Sequence, residues 1–206
     1  MTFNTKEQWV TWTRITNPGS WLQEHETAIF DQWELLAKLK ETPQDPIFHP
    51  EGNVWVHTCY VCDAAAVVSD REGLSQHERM ILLIAALCHD IGKPGTTEMI
   101  DGRWRARGHE QRSKVLAMEL LSSLGFAHQD VSMIGGLVAE HLVYASFETV
   151  TLRIIKRLKH RLGGASISLL CHLIEADQSG RPPLTFTPSQ TFVQLLQFAQ
   201  ERKTFE

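Results

Sequence analysis

Apolar residues recur every three or four positions along most of this chain, and sustained alternation of apolar and polar residues is scarce. The first spacing places side chains on one face of an α-helix, whereas alternation is typical of strands. Prolines and glycines separate the periodic stretches, as expected at helix ends. The pattern therefore predicts a largely helical chain, with helices over residues 21–40, 53–69, 75–89, 109–124, 130–145, 150–162 and 165–178.

Local sequence adds detail at three places. Ser75-Gln76-His77-Glu78 fits a capping box, with Ser75 as the N-cap and Glu78 at the third helical position. Thr187-Pro188-Ser189-Gln190 predicts the start of a last helix, with Pro188 at its first position. Residues 94–108 are polar and arginine-rich, which predicts a loop or a short hairpin around Asp101-Gly102. We expect one all-α domain over residues 1–206, with residues 1–42 and 182–206 as flanking helical segments.

Composition narrows the range of partners. Hydrophobic residues make up 43% of the chain, which is enough for a sizeable core. The net charge of −4 argues against a domain that binds nucleic acid over its whole surface. Residues 151–162 are the exception, because they form a basic amphipathic helix that could contact an RNA backbone. A solvated helix face is the simpler interpretation of that segment.

The four cysteines do not suggest a disulfide framework. Cys59, Cys62, Cys88 and Cys171 are irregularly spaced, and no second C-x-x-C follows the first to complete a zinc site. Buried, reduced thiols are the better interpretation. The N-terminus lacks the apolar core of a signal peptide, and no apolar run reaches the length of a membrane span. We therefore expect a cytoplasmic protein that does not enter the membrane.

Several metal-binding residue types continue the apolar stripes of the predicted helices. His89 shares a helix face with Leu82 and Ala86, and His141 shares one with Leu137 and Val138. A buried lone carboxylate is costly unless it is paired or binds a metal. Each residue alone could be an ordinary core histidine, a cap or a salt-bridge partner. Together they predict a buried metal centre formed by His57, His89, Asp90, His109, His141 and Asp177.

Four imidazoles and two carboxylates suit one or two divalent transition ions, namely Mn, Fe, Co, Ni or Zn. A ligand set without cysteine argues against a closed structural zinc site. His57, His89, Asp90 and Asp177 could hold one ion, and Asp90 could bridge to a second ion held by His109 and His141. The other histidines fall in loops or on polar faces and are left out of the centre: His25, His49, His77, His128, His160 and His172.

Such a centre predicts hydrolysis of phosphate esters, and cationic side chains must then meet the phosphate charge. Asp90 and Lys93, which lies one turn beyond it, are the predicted catalytic residues. Lys93 also belongs to the predicted substrate-binding set with Arg107, Arg112 and Arg181, each a few residues from a proposed ligand. A plain surface charge is the alternative for each arginine.

The ligand-bearing segments resemble the HD superfamily of metal-dependent phosphohydrolases, and most closely the HD domain of bacterial tRNA nucleotidyltransferases and poly(A) polymerases. The likeness extends over about residues 43–181. The matching stretches are Pro43-Gln44-Asp45-Pro46, His49-Pro50-Glu51-Gly52-Asn53-Val54-Trp55-Val56-His57-Thr58, Leu87-Cys88-His89-Asp90-Ile91-Gly92-Lys93, Gly108-His109-Glu110-Gln111-Arg112, His141-Leu142 and Glu175-Ala176-Asp177-x-x-Gly180-Arg181.

The resemblance implies a single HD-type helical bundle and metal-dependent hydrolysis of nucleotides or RNA ends. In the tRNA nucleotidyltransferase relatives it implies 2′,3′-cyclic phosphodiesterase and phosphatase activity, which makes tRNA a candidate partner. It also implies that His57, His89, Asp90 and Asp177 are the core ligands, whereas His109 and His141 match positions that complete a second site in binuclear members.

Departures from the family patterns limit this expectation. The first forty residues are too short for a nucleotidyltransferase head and lack its Asp-x-Asp acids, so nucleotide addition is not expected. Ile91-Gly92-Lys93-Pro94 replaces the Glu-Asp pair of (p)ppGpp hydrolases, and the Gly-Tyr-Pro signature of cyclic-di-GMP phosphodiesterases is missing. A phosphomonoesterase on free nucleotides is one alternative. A non-catalytic RNA-binding or regulatory HD module with a structural metal is the other.

Overall fold

The computed structural model describes residues 4–200, and helices dominate this range. It confirms the predicted all-α class, because the one sheet in the described range is a two-stranded hairpin. The helices are α1 (Lys6–Trp12), α2 (Pro18–Glu24), α3 (Glu26–Phe30), α4 (Glu34–Glu41), α5 (Val54–Arg71), α6 (Gln76–Cys88), α7 (His109–Ser123), α8 (His128–Glu140), α9 (Leu152–Arg161), α10 (Ile167–Ser179) and α11 (Gln190–Gln200).

The first forty residues differ from the prediction of one helix over residues 21–40. The backbone leaves helical geometry at His25 and again at Trp33, so α2, α3 and α4 form a bent series of short helices. Each bend lets the next helix turn an apolar residue inward: Leu22, Ile29 and Leu36 are all buried. Burial of these side chains therefore outweighs the continuity of a single helix.

The two central helices, α5 and α6, carry much of the buried surface. Ser75 and Glu78 form the predicted capping box at the start of α6, and every residue from Met80 to Cys88 is buried. A helix that is apolar on all sides must lie inside the molecule. The chain therefore reaches His89 and Asp90 in the interior, directly where α6 ends.

Two further helix boundaries differ from the prediction, apart from shifts of one or two residues at other helix ends. Helix α8 ends at Glu140 instead of residue 145, and a short 3-10 turn over Val143–Ser146 follows it. Pro188 is not at the first position of the last helix, because α11 begins at Gln190. The Ser189 hydroxyl accepts a hydrogen bond from the amide of Phe192 at 3.2 Å, so the serine caps this helix.

The predicted hairpin is confirmed. Strands β1 (Thr97–Ile100) and β2 (Arg103–Ala106) pair in antiparallel register and join through Asp101 and Gly102. Both turn residues have positive φ angles, 50° and 73°, as a tight hairpin turn requires.

All four cysteines are buried and free of disulfides. Burial raises the pKa of the Cys88 and Cys171 thiols to about 12, so both stay protonated at neutral pH. The prediction of buried, reduced thiols is confirmed. Separately, none of the helices within residues 4–200 combines the length and apolarity needed to cross a membrane.

Candidate metal centre

The ends of five helices deliver the six predicted ligands to one place. His57 lies in the first turns of α5, and His109 is the first residue of α7. His89 and Asp90 follow α6, His141 follows α8, and Asp177 lies near the end of α10. All six side chains are buried. The structure thus brings together the residues that apolar periodicity selected.

Hydrogen bonds to carbonyl oxygens fix the orientation of the imidazoles. Nδ1 of His89 lies 2.7 Å from the carbonyl oxygen of Ala86. The same contact, three residues back along the chain, occurs for His109 at 2.6 Å and for His141 at 2.7 Å. A carbonyl oxygen can only accept, so each Nδ1 carries a proton, and Nε2 is the nitrogen of each ring that is left to bind a metal. Metal-binding histidines are commonly held in this way.

His57 is oriented by two oxygen atoms. Its Nδ1 lies 3.1 Å from the carbonyl oxygen of Gly180 and 2.8 Å from a carboxylate oxygen of Glu51. Glu51 also contacts His49 Nδ1 at 2.8 Å. Sequence analysis missed both side chains as part of this centre, and the exclusion of His49 was wrong in that respect. The His49-Pro50-Glu51-Gly52 stretch already carried the family resemblance, and that was the signal available.

The inward-facing atoms are mostly acceptors that face other acceptors. His57 Nε2 lies 3.4 Å from His89 Nε2 and 3.0 Å from Asp177 Oδ1. His89 Nε2 lies 3.1 Å from Asp90 Oδ2. Lone pairs this close repel one another unless a proton or a metal ion lies between them. Burial alone would lower the pKa of His57, but its hydrogen bonds to Asp177 and Glu51 raise it, so a proton joins His57 and Asp177 when no ion is bound. The donor set therefore fits a divalent transition ion.

Asp90 is shared by two groups of donor atoms. One group contains His57, His89 and Asp90, and the other contains Asp90, His109 and His141; within each group the atoms lie within 4.8 Å of one another. Asp90 Oδ1 is 3.1 Å from His109 Nε2, yet the geometry is not that of a hydrogen bond, and neither atom has another partner among the described residues. Two buried polar atoms left in this way suit a second ion that Asp90 would bridge.

The pKa values of the buried side chains at the centre favour the binding of a cation. Burial alone would raise the pKa of Asp90, but the neighbouring His89 imidazole and the Lys93 ammonium group lower it well below its usual range. Burial would likewise raise the pKa of Asp177, and the Arg181 guanidinium outweighs this effect. Both carboxylates therefore stay ionised. Burial lowers the pKa of His141 to about 3, so this imidazole remains neutral and can bind a metal.

A cavity of about 260 Å³ opens over the centre. Asp90, His109, His141 and Asp177 form its floor together with Lys93 and Arg181, so two of the predicted substrate-binding cations lie in the cavity. Arg107 and Arg112 are exposed and do not line it. The Arg112 guanidinium instead packs against Gly95, where a Cβ would lie only 2.4 Å from its Cζ. Arg105, which the sequence analysis did not select, lines the cavity.

Comparison with known proteins places these features in a family. The HD domain family model matches residues 54–182. Over 150 residues, 71% of this chain, it is 30% identical to the "Multifunctional CCA protein" of Cupriavidus taiwanensis, and over 106 residues it is 38% identical to the protein of that name from Methylobacillus flagellatus. These matches span 34% and 23% of the relatives' lengths, so the chain corresponds to about a third of such a protein or less. The expected resemblance to the HD domains of tRNA nucleotidyltransferases is confirmed, and the chain belongs to the HD domain family.

Proposed function

We propose that this chain is a metal-dependent phosphohydrolase that acts on nucleotides or RNA ends, with 2′,3′-cyclic phosphates as its specific substrates. One observation carries the proposal: imidazole nitrogens and carboxylate oxygens converge beside an open cavity that also contains cationic side chains. A purely structural ion would not need a cavity above it, whereas hydrolysis requires room for the substrate.

The six proposed ligands divide into two metal sites. His57, His89, Asp90 and Asp177 would hold one ion, and His109 and His141 would hold a second ion with Asp90 as the bridge. When bound, divalent transition ions supply Lewis acidity toward a phosphoryl oxygen and make water a stronger acid. Asp90 keeps the ligand groups in register, because its two carboxylate oxygens face different histidines.

Two cations are placed to meet the phosphate charge. Lys93 Nζ lies 2.7 Å from Asp90 Oδ2 and donates to Gln44 Oε1 at 2.6 Å. Arg181 donates from one terminal nitrogen to Asp177 at 2.8 Å, and its buried Nε has no partner among the described residues. Both side chains are thus held at the cavity by ligand carboxylates, and Arg181 has a donor left for a substrate oxygen.

Metal analysis joined to a substrate screen tests the proposal. The purified protein should contain a divalent transition ion and hydrolyse 2′,3′-cyclic nucleotides or phosphate monoesters, with turnover abolished by chelation and restored by metal. Asp90→Ala should lose both the metal and at least about a thousandfold of the activity, since metal catalysis supplies several kcal/mol. Asp31→Ala, which removes an exposed carboxylate, is the matched control. Full metal content in Asp90→Ala would contradict the ligand assignment.

A variant at Lys93 distinguishes a role in stabilising the phosphate charge from a role in metal binding. Lys93→Ala should retain the metal but lower kcat by roughly a hundredfold, because the ammonium group would stabilise charge in the transition state. Metal content and single-substrate kinetics measure the two effects on one sample. An unchanged kcat would remove Lys93 from the catalytic group, and loss of metal would give it a role in holding Asp90 instead.

A specific feature favours RNA binding as a second function. The exposed face of α9 carries four cations that have no acidic partner within residues 4–200: Arg153, Lys156, Arg157 and Lys159. Arg161, also on α9, pairs with Glu140 at 2.7 Å, which ties this helix to the residue before His141. We propose tRNA as a candidate ligand, as the resemblance to the HD domains of tRNA nucleotidyltransferases implies. Tight, salt-sensitive tRNA binding by metal-loaded protein without turnover would favour a non-catalytic module.

A further inference from the structure

The β1–β2 hairpin forms one wall of the cavity. In its register Thr97 pairs with Ala106 and Met99 pairs with Trp104, so these four side chains share one face of the hairpin. Thr97, Trp104 and Ala106 line the cavity, and Met99, which is 52% exposed, extends the same face of the hairpin. The hairpin thus directs a flat, largely apolar face toward the space above the metal centre.

The loop before α5 supplies the second part of this wall. Phe48 is 53% exposed and lines the same cavity. Arg103 stacks over the Phe48 ring, with 5.0 Å between the guanidinium carbon and the ring centroid, and it donates to Asp45 Oδ2 at 2.6 Å. The hairpin and the loop are therefore held together, and the aromatic rings of Phe48 and Trp104 border one cavity.

Aromatic side chains and cations in one cavity fit a ligand with both a planar ring and a phosphate. Lys93 and Arg181 line the cavity with Trp104 and Phe48. A simple alkyl phosphate would use the cations alone and leave the aromatic surface in contact with water. A nucleotide would use both, because every nucleobase presents a flat face for stacking.

We propose that Trp104, supported by Phe48, is the nucleobase-binding surface of this site and selects nucleotides over phosphate esters without a base. This inference rests on the proposed function for the identity of the reacting group. It adds the part of the substrate that is recognised and the residues that recognise it.

Two probes that differ only in the base test this inference. Uridine 2′,3′-cyclic phosphate is compared with 1-O-methylribose 2′,3′-cyclic phosphate for kcat/KM. The dissociation constants of the matching 2′-monophosphates are measured by calorimetry, which needs no turnover. Wild-type protein should prefer the nucleoside probe by about tenfold or more. Tenfold corresponds to ~1.4 kcal/mol, within the range of stacking of one base on an aromatic ring.

Variants assign the preference to residues. Trp104→Ala should reduce the preference to near unity, and Trp104→Phe should retain most of it, because a phenyl ring still stacks. Phe48→Ala should reduce it by a smaller factor, and this exposed residue provides a second variant if Trp104→Ala fails to fold. Leu152→Ala, 65% exposed on α9, is the control and should leave the preference unchanged.

The outcomes separate this inference from the proposed function. Hydrolysis of both probes without a preference in wild-type protein, or with a preference that survives Trp104→Ala, would overturn the nucleobase assignment and leave the hydrolase intact. No hydrolysis of either probe, combined with a binding preference that Trp104→Ala removes, would overturn the catalytic proposal and leave the assignment in place.

Discussion

The two sides of the metal centre are built differently. On the inner side, His57, His89 and Asp177 are held by hydrogen bonds and ion pairs within the protein. On the outer side, Asp90 Oδ1, His109 Nε2 and Thr97 Oγ1 belong to residues that line the cavity, and they are buried polar atoms without a hydrogen-bond partner among the described residues. The inner side is therefore assembled by the fold, whereas the outer side is completed by what binds there.

The inner contacts join distant parts of the chain. His57 Nε2 contacts Asp177 Oδ1 at 3.0 Å, Arg181 contacts the same oxygen at 2.8 Å, and His57 Nδ1 contacts the Gly180 carbonyl oxygen. These bonds tie α5 to the end of α10 in the absence of an ion. A side chain that can bind the metal can also stabilise the fold. Its hydrogen-bond partners within the protein show whether it does one, the other or both.

The comparison predicts opposite consequences for two histidines. In metal-free protein, His57→Ala should lower the free energy of unfolding by roughly 3 kcal/mol, because it breaks a buried charged network and removes one partner of Asp177. His109→Ala should lower it by roughly 1 kcal/mol, since it removes little more than the hydrogen bond to the Ala106 carbonyl oxygen. Urea unfolding in the presence of a chelator measures both values.

Metal content completes this test. His109→Ala should lose bound metal while keeping its fold, whereas His57→Ala should lose stability before any metal is added. Equal losses of stability in the two variants would show that the inner and outer sides do not differ as described. Greater destabilisation by His109→Ala would reverse the comparison.

The inner side was largely predictable from the sequence, and the outer side was less so. His89 and Asp177 continue helical stripes, so periodicity alone directs them inward. Thr97 and Trp104 lie in a hairpin whose position over the cavity depends on contacts with a distant loop, as the Arg103–Asp45 pair shows. No local pattern encodes that placement.

The arginines show the same limit. Proximity in sequence to a proposed ligand selected Arg107, Arg112 and Arg181, but only Arg181 lines the cavity. It lies four residues after Asp177 and pairs with that carboxylate, whereas Arg112 is turned toward the chain at Gly95. Proximity in sequence does not determine which way an arginine side chain points, and this orientation decides whether its guanidinium group reaches the substrate.

Thr97 provides the smallest and sharpest test of the outer side. Because its buried hydroxyl has no partner among the described residues, Thr97→Val should leave the free energy of unfolding unchanged or raise it by up to ~1 kcal/mol. The same change should lower kcat/KM if the hydroxyl donates to a bound substrate. Thr58→Val is the matched control, since its buried hydroxyl donates to the Val54 carbonyl oxygen at 2.8 Å and its removal should cost about 1 kcal/mol. A Thr97→Val variant destabilised as much as Thr58→Val would mean that the hydroxyl already supports the fold, and the cavity wall would then resemble the inner side.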